Sequence, residues 1–340
     1  MVVLPTETCR DYFLLPVSLA PRPDQPADRT LWFLYDIGAA INVVDPDSVA
    51  RVSNSALTEG QRAVFSDLSV GPAQIPSLRA LVEDLDHLSV AIGRPLDGIL
   101  AFDAFGDALV ELDYQSGTVR LGDGRLPRPD GEAVLRTRGP DLRPWLVVDF
   151  PEGPRKMLLD SGAARSALVV RGLDDIETVT PPRPTNAVLG LRDLEIRSAA
   201  RAIGAVHLGA LVLDQPILQS TDDTQLVGGA VMKHFTWTFD PRRDRVRVIP
   251  TAPGEAVRLS SLVSHGMVLA PQASQLRVAG VLDDTPAAAA GILVGDIITH
   301  LQGAPVATRG CGGEQGAVRV TLLRDGVENE VTVVPAALVE

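Results

Sequence analysis

Two segments of the sequence share one pattern of residues around an aspartate, and this repetition limits the possible folds more than any other feature. Residues 31–44 read LWFLYDIGAAINVV, and residues 155–169 read RKMLLDSGAARSALV. In each, an apolar run leads to Asp36 or Asp160, a glycine two positions later permits a sharp turn, and a second apolar run follows. Each aspartate is therefore predicted to lie on a strand–loop–strand unit.

A second pair of similar segments follows the first pair in the same order. Residues 97–121 contain DGILAFDAF and then VELDYQSGTVRL, and residues 227–248 contain VGGAVMKHF and then TWTFDPRRDRVRV. Two features that recur in one order indicate an internal duplication, with lobe one at residues 8–132 and lobe two at residues 133–250. Stretches rich in proline and glycine, residues 125–131 and 250–254, suit connectors, and they leave a third domain at residues 256–340.

Composition favours a mainly β protein and argues against some classes of partner. Only 4% of the residues are aromatic, whereas valine, leucine, glycine and proline are abundant, as in proteins with many short strands joined by turns. A formal net charge of −12 opposes binding to nucleic acid, because a phosphate backbone needs positive counter-charge. The sequence also shows no apolar run long enough for a transmembrane segment.

The compartment stays open on the sequence alone. The N-terminus has no basic region followed by an apolar core and a cleavage site, so the chain as given is expected to be soluble and cytoplasmic. It would be periplasmic or secreted if a leader had been removed. Cys9 and Cys311 fall in different predicted domains, without histidine or cysteine neighbours at metal-ligand spacing, so both a zinc site and a disulfide framework are expected to be absent.

The paired aspartate segments resemble the active-site loops of retropepsin- and pepsin-like aspartic peptidases. Their pattern is two apolar residues, Asp, Thr or Ser, Gly, and Ala or Ser, which residues 158–163 match fully and residues 34–39 match except at one position. The resemblance implies two acid-protease-like β lobes related by a pseudo-two-fold axis, with one aspartate from each. It assigns catalytic roles to Asp36 and Asp160, and supporting roles to Gly38, Ala39, Ser161, Gly162 and Ala163.

Two neighbouring carboxyl groups explain why such a site needs both lobes. Carboxylates held close together cannot both ionise cheaply, so the pair keeps one proton and supplies an acid and a base at once. The ionised group can activate a water while the protonated group hydrogen-bonds the scissile carbonyl. This chemistry requires no cofactor and no metal, and the expected partner is a protein or peptide substrate.

Ile37 is the position at which the first loop departs from the pattern. A serine or threonine there would hydrogen-bond across to the other loop, as Ser161 can, but isoleucine has no hydroxyl. The departure keeps a second hypothesis open, in which a degenerate aspartic-peptidase scaffold only binds peptides as a non-catalytic adaptor. A β-hairpin over the cleft is expected at residues 64–71, at residues 187–195, or at both.

Residues 256–340 resemble PDZ domains of the bacterial protease-associated type. The long stretch VLDDTPAAAAGILVGDIITHLQG, residues 281–303, carries most of the resemblance and predicts an alanine-rich helix, a glycine stop and a strand. The resemblance implies a groove that accepts a peptide or a C-terminal tail as an added strand. Its carboxylate-binding loop corresponds to Gly266, Met267, Val268 and Leu269, where Val268 replaces the usual second glycine. The alternative is a PDZ-shaped cap that only packs on the lobes.

Overall fold

The protein is built mainly from β-strands. The computed structural model describes residues 1–21, 29–53, 56–189, 194–252, 254, 256–272, 275–306, 310–311 and 316–340. The helices in this part of the chain are α1 (Pro46–Val52), α2 (Asp86–Ile92), α3 (Gly229–Met232) and α4 (Pro286–Ala289), with 3-10 turns at Phe102–Phe105, Leu173–Asp175 and Pro241–Arg243.

The strands divide into three runs along the chain. The first run is β1 (Val2–Val3), β2 (Glu7–Cys9), β3 (Tyr12–Leu19), β4 (Thr30–Tyr35), β5 (Asn42–Val44), β6 (Arg62–Val70), β7 (Ala73–Val82), β8 (Gly98–Leu100), β9 (Leu109–Asp113) and β10 (Thr118–Gly122). The second is β11 (Val134–Arg136), β12 (Trp145–Phe150), β13 (Gly153–Asp160), β14 (Leu168–Val170), β15 (Arg183–Leu189), β16 (Leu194–Arg201), β17 (Val206–Leu208), β18 (Leu211–Leu213), β19 (Ile217–Ser220), β20 (Leu226–Gly228), β21 (Phe235–Asp240) and β22 (Arg245–Pro250). The third is β23 (Leu262–Ser264), β24 (Met267–Gln272), β25 (Gln275–Val281), β26 (Ile297–Leu301), β27 (Ala304–Pro305), β28 (Val318–Arg324), β29 (Val327–Val333) and β30 (Ala336–Val339).

The two aspartate-bearing strands occupy corresponding places in two barrel-like sheets. One sheet has the order β2-β3-β4-β8-β5-β7-β6 and closes where β3 also pairs with β6; the other has the order β15-β16-β19-β14-β20-β13-β12-β17-β18. In the first, β4 pairs in parallel with β8, β8 antiparallel with β5, and β5 in parallel with β7. In the second, β13, β20, β14 and β19 pair in the same sequence of directions.

A third sheet joins the first two runs of strands. Its order is β1-β10-β9-β21-β22-β11, so β9 from the first run pairs directly with β21 from the second. Trp237 and Leu112 lie opposite each other at this junction, and both are fully buried. Their cluster of buried apolar side chains continues into both barrel-like sheets, so one core supports both aspartate loops.

The main sheet of the third run of strands borders a separate apolar core, whereas β23 and β30 contribute Leu262 and Val339 to the core of the first two runs. This main sheet has the order β24-β25-β26-β28-β29, with β27 paired to β26, while β23 pairs with β30. The core of this tail contains Val278, Ile298 and Val320. The predicted alanine-rich helix is α4, Gly291 follows it with a φ of +73°, and the predicted strand is β26.

The tail is covalently joined to the first run of strands. Cys9 and Cys311 form a disulfide with their Cα atoms 5.0 Å apart, so the expectation that a disulfide is absent is wrong. That expectation treated the domains as separate bodies, whereas Val90 of α2 packs against the tail core and the tail docks beside β2. Docking brings together cysteines that are 302 positions apart in the sequence.

Within the described residues, no helix combines the length and the apolar character needed to cross a membrane.

Candidate active site

Asp36 and Asp160 each stand at the end of a strand in the middle of a sheet. Asp36 follows β4, and its backbone N–H donates to the carbonyl of Leu100 on β8 (2.9 Å). Asp160 is the last residue of β13, where it pairs in parallel register with Gly228 of β20. Because β4 and β13 each pair with a strand on either side, their ends have little freedom, and the backbone positions of Asp36 and Asp160 are fixed.

The structure brings the two carboxyl groups together from separate sheets. Each carboxyl group lies close enough to affect the pKa of the other. A Cβ atom added to Gly38 would lie 2.4 Å from the Cγ of Asp160, and one added to Gly162 would lie 2.3 Å from the Oδ2 of Asp36. Each glycine is therefore required because the carboxyl group of the opposite loop occupies the space that a side chain would fill.

Backbone amides stabilise the two carboxyl groups unequally. The Oδ1 of Asp36 accepts hydrogen bonds from the N–H of Gly38 (2.8 Å) and from that of Gly162 on the opposite loop (3.0 Å). Asp160 Oδ1 accepts one from the N–H of Ala163 (3.1 Å). The N–H of Ala39 closes the first loop by donating to the backbone carbonyl of Asp36 (3.2 Å).

This inequality affects how the two carboxyl groups hold protons. Burial raises the pKa of both carboxyl groups, because the low-dielectric interior disfavours the charged form. The amides of Gly38 and Gly162 oppose that rise at Asp36, whereas the neighbouring charge of Asp36 adds to it and raises the pKa of Asp160 well above its usual range. The two carboxyl groups titrate as one unit, in which the two amide donors favour the charged form of Asp36.

A hydroxyl braces the two loops from one side. The Oγ of Ser161 accepts a hydrogen bond from the N–H of Ile37 (3.1 Å) and donates one to the carbonyl of Tyr35 (3.1 Å), both across to the first loop. Ser161 is buried, and Ile37 is fully buried in the apolar core that the two sheets share. At this contact between the two loops, the second loop therefore contributes hydrogen bonds and the first contributes apolar packing.

Arg143 is a contact of the site that the sequence reasoning missed. It precedes β12, and its Nη1 donates to the carbonyl of Gly38 in the first loop (2.9 Å). The sequence offers an Asp-Xaa-Arg pair at Asp141 and Arg143, which in isolation is an ordinary surface ion pair. Only the fold shows that this pair lies beside the aspartate loop of the other sheet.

Tyr12 is a second missed neighbour of the carboxyl pair. It begins β3 and packs in a cluster that includes Leu34 and Ala39. Burial raises the pKa of Tyr12 to about 12, and the charges of Asp160 and Asp36 contribute to the rise. Its phenol consequently stays protonated at neutral pH.

The two hairpins predicted to cover the cleft differ in how much of each the structure describes. Residues 64–71 fall in the β6–β7 hairpin, which turns at Gly71 with a φ of +55°. Residues 187–195 fall in the β15–β16 hairpin, but its tip, residues 190–193, lies outside the described residues. The first candidate is thus a hairpin whose turn the structure describes.

One cluster of carboxylates away from the pair has a spacing that a metal ion could use. Side-chain oxygens of Asp45, Asp84 and Asp86 lie within 4.8 Å of one another. Asp45 caps the N-terminus of α1 by accepting hydrogen bonds from the N–H groups of Asp47 (3.0 Å) and Ser48 (3.2 Å), and its other oxygen accepts one from the N–H of Leu85 (3.1 Å). The cluster is accounted for by helix capping.

The four residues assigned to the tail's carboxylate loop lie at one end of β24. Gly266 has a φ of +85° and precedes the strand, and its N–H donates to the Oγ of Ser264 (3.0 Å). Val268 is buried, whereas Met267 and Leu269 pack at the border of the tail core. Val90 of α2 packs on the same core, so this end of the strand borders the first barrel-like sheet.

Comparison of the chain with known proteins yields no match, either among protein-family models or among curated proteins. The function is therefore argued from the geometry of the two carboxyl groups.

Proposed function

We propose that this protein is an aspartic endopeptidase that hydrolyses peptide bonds with a water held by Asp36 and Asp160. One observation carries the proposal: two half-buried carboxyl groups from separate loops each lie against the glycine of the opposite loop, close enough to shift each other's pKa. Burial of two ionisable groups against each other costs stability, so such a pair is typical of functional sites rather than of ordinary cores.

The difference between the two carboxyl groups supports a division of roles. The Asp36 carboxylate takes a proton from the water as its oxygen attacks the scissile carbonyl carbon, and Asp160 passes its proton to the carbonyl oxygen. The resulting tetrahedral diol collapses when the amide nitrogen receives a proton from Asp36 and the C–N bond breaks, while Asp160 recovers its proton from a hydroxyl. Each carboxyl group ends in its starting state.

Matching strand pairings support a two-lobed body with a pseudo-two-fold axis. The pairings of β4, β8, β5 and β7 correspond in direction and order to those of β13, β20, β14 and β19. The sheet that joins them has β9 and β21 at its centre, with two strands outside each. In this proposal lobe one is residues 8–132, lobe two is residues 133–250, and the cleft between them receives an extended chain.

For the tail we propose a PDZ domain that binds a peptide. Its separate core and the hairpin of β24 and β25 support this, and β24 pairs only with β25 among the described residues. A strand with one unpaired edge can receive an extended peptide through backbone hydrogen bonds. The contact of Val90 with the same core also supports the alternative, in which the tail is a cap on lobe one.

A non-catalytic peptide-binding protein is the second candidate function, and Ile37 is the observation that favours it. A cross-loop hydroxyl is present only on Ser161, and the first loop is held at this position by packing. An adaptor would keep the cleft and the tail but would not turn over its ligand.

Sequencing of newly formed termini after incubation with an unfolded protein mixture separates the two functions. The wild type is expected to generate new termini, and both Asp36→Asn and Asp160→Asn are expected to generate none while still folding. Termini produced equally by all three proteins would mean a contaminating peptidase. Binding of peptides by all three without cleavage by any would favour the adaptor.

A further inference from the structure

The hydrogen bonds of Ser161 hold only the first part of the aspartate loop at Asp36. Ser161 fixes the carbonyl of Tyr35 and the N–H of Ile37, on either side of Asp36. The N–H of the next peptide group, that of Ile37 and Gly38, donates to the Asp36 carboxylate, and the peptide group of Gly38 and Ala39 follows it. A glycine has wide conformational freedom, so this part of the loop needs an external contact to hold one orientation.

Arg143 supplies that contact from the opposite lobe. Its guanidinium donates to the carbonyl of Gly38 (2.9 Å) across 105 positions of sequence. The carbonyl of Gly38 and the N–H of Ala39 belong to one rigid peptide plane. Fixing the carbonyl therefore also fixes the direction of the Ala39 N–H, which closes the loop on Asp36.

The guanidinium is itself held in place. The Oδ2 of Asp141 accepts hydrogen bonds from the Nε (3.0 Å) and the Nη2 (2.7 Å) of Arg143, and its Oδ1 accepts one from the Nε1 of Trp145 (3.0 Å). The Trp145 ring centroid lies 5.5 Å from the guanidinium carbon. Hydrogen bonds from Arg143 lower the pKa of Asp141 to about 2, so the ion pair persists across the range in which carboxyl groups titrate.

We propose that Arg143 is a positioning residue for Asp36. Arg143 belongs to lobe two, and it holds the part of the first loop that the hydroxyl of Ser161 does not reach. The inference rests on the proposed peptidase function for its kinetic consequence. Its structural consequence, the orientation of the Gly38–Ala39 peptide group that closes the loop on Asp36, is independent of turnover.

The test compares Arg143→Met, Arg143→Lys and Arg155→Met with the wild type. Methionine keeps length and apolar contact with Trp145 but removes the donors, and lysine retains a positively charged donor group without the planar fork of arginine. Arg155 is the matched control: it also lies over an aromatic ring, that of Phe150 (5.3 Å), and donates to a backbone carbonyl, that of Arg171 (2.6 Å), but within lobe two.

Kinetics on a cleaved peptide are expected to separate positioning from structure. Arg143→Met should lower kcat by about 10- to 100-fold, as a misplacement of about 1 Å does, with KM changed by less than about threefold. The acid limb of the pH profile should move to higher pH, because a loosened loop stabilises the Asp36 carboxylate less. Lysine should restore most of kcat, and Arg155→Met should match the wild type.

A second readout does not depend on turnover. Carboxyl ¹³C NMR titration of wild type and Arg143→Met, with the Asp36 signal assigned from Asp36→Asn, should show Asp36 titrating at higher pH in the variant. If the wild type shows no cleavage and the Asp36 titration still moves to higher pH in Arg143→Met, the positioning role stands and the peptidase proposal falls. If the wild type cleaves and Arg143→Met keeps both its kcat and its Asp36 titration, the positioning role falls alone. A loss confined to KM, or an equal loss in Arg155→Met, would also overturn it.

Discussion

The loop at Asp36 and the loop at Asp160 have the same setting in the fold but different electrostatic surroundings. Each follows a strand paired in parallel with a later strand, and each has a glycine pressed against the opposite carboxyl group. Yet the N–H of Gly162, in the second loop, donates to Asp36, so the first aspartate gains an amide from its partner loop. The repeated motif determines where the carboxyl groups lie, and the contacts between the loops give Asp36 an amide donor from the opposite loop that favours its charged form.

Replacing either aspartate by asparagine should have the largest effect. Asp36→Asn removes the base and Asp160→Asn removes the shared proton, so each should lower turnover of a cleaved peptide by about 10³-fold or more. Thermal unfolding should change far less, because an amide does not carry the charge that burial penalises. Near-wild-type turnover in either variant would contradict the assignment of Asp36 as the base and Asp160 as the acid.

Ser161→Ala should have the next largest effect and tests the brace on the second loop. Removal of the hydroxyl leaves the buried N–H of Ile37 and the carbonyl of Tyr35 without their partner, at a cost of about 1–3 kcal/mol in the free energy of unfolding. Looser loops should also lower kcat by about 10- to 100-fold. Denaturant unfolding together with peptide kinetics checks both, with Ser161→Thr as the variant that retains the hydroxyl. Unaltered stability and kcat in Ser161→Ala would show that packing alone holds the loops.

Ile37→Thr should have a smaller effect and tests the first loop in the same way. Ile37 is fully buried in the shared core, so threonine would bury a hydroxyl and lower the free energy of unfolding by about 1–3 kcal/mol. Because Arg143 already holds this loop, we expect no increase in kcat. A matched Ile37→Val variant reports the loss of volume alone. A severalfold rise in kcat with an unchanged thermal midpoint would instead mean that a missing hydroxyl limits the enzyme.

The pH dependence of stability should show the smallest effect. The pKa of Asp160 is raised in the folded protein, so its contribution to stability is present below the ordinary carboxyl pKa of 3.8 and is lost as pH rises through the raised value. Asp160→Asn should therefore lose less stability than the wild type as pH rises from acid to neutral. Thermal midpoints of both proteins across that range measure the difference. Parallel curves would mean that Asp160 has the same proton affinity in the folded and unfolded states.

The duplicated motif predicted the aspartate loops because strand, glycine and aspartate are local signals that recur in one order. It could not predict Arg143, since a contact across 105 positions leaves no periodic trace and an Asp-Xaa-Arg pair is common on surfaces. Ile37 was recognisable as a departure from the pattern, but its burial in a core shared by two sheets depends on how the sheets meet. Tyr12 was missed for the same reason.

The sequence also predicted the mainly β character, the helix α4 and its glycine stop, since these follow from composition and short-range turn chemistry. It failed for Cys9 and Cys311, because pairing at a separation of 302 positions is decided by the docking of the tail.

The bond between Cys9 and Cys311 makes nearly the whole polypeptide a covalent ring that contains both aspartate loops and both connectors. A single cut within the ring, for example in residues 125–131, leaves one molecule whose two pieces remain attached. If the protein cuts peptide bonds as proposed, self-cleavage at such a site would be invisible in a gel without reductant and would appear as two fragments once the disulfide is reduced.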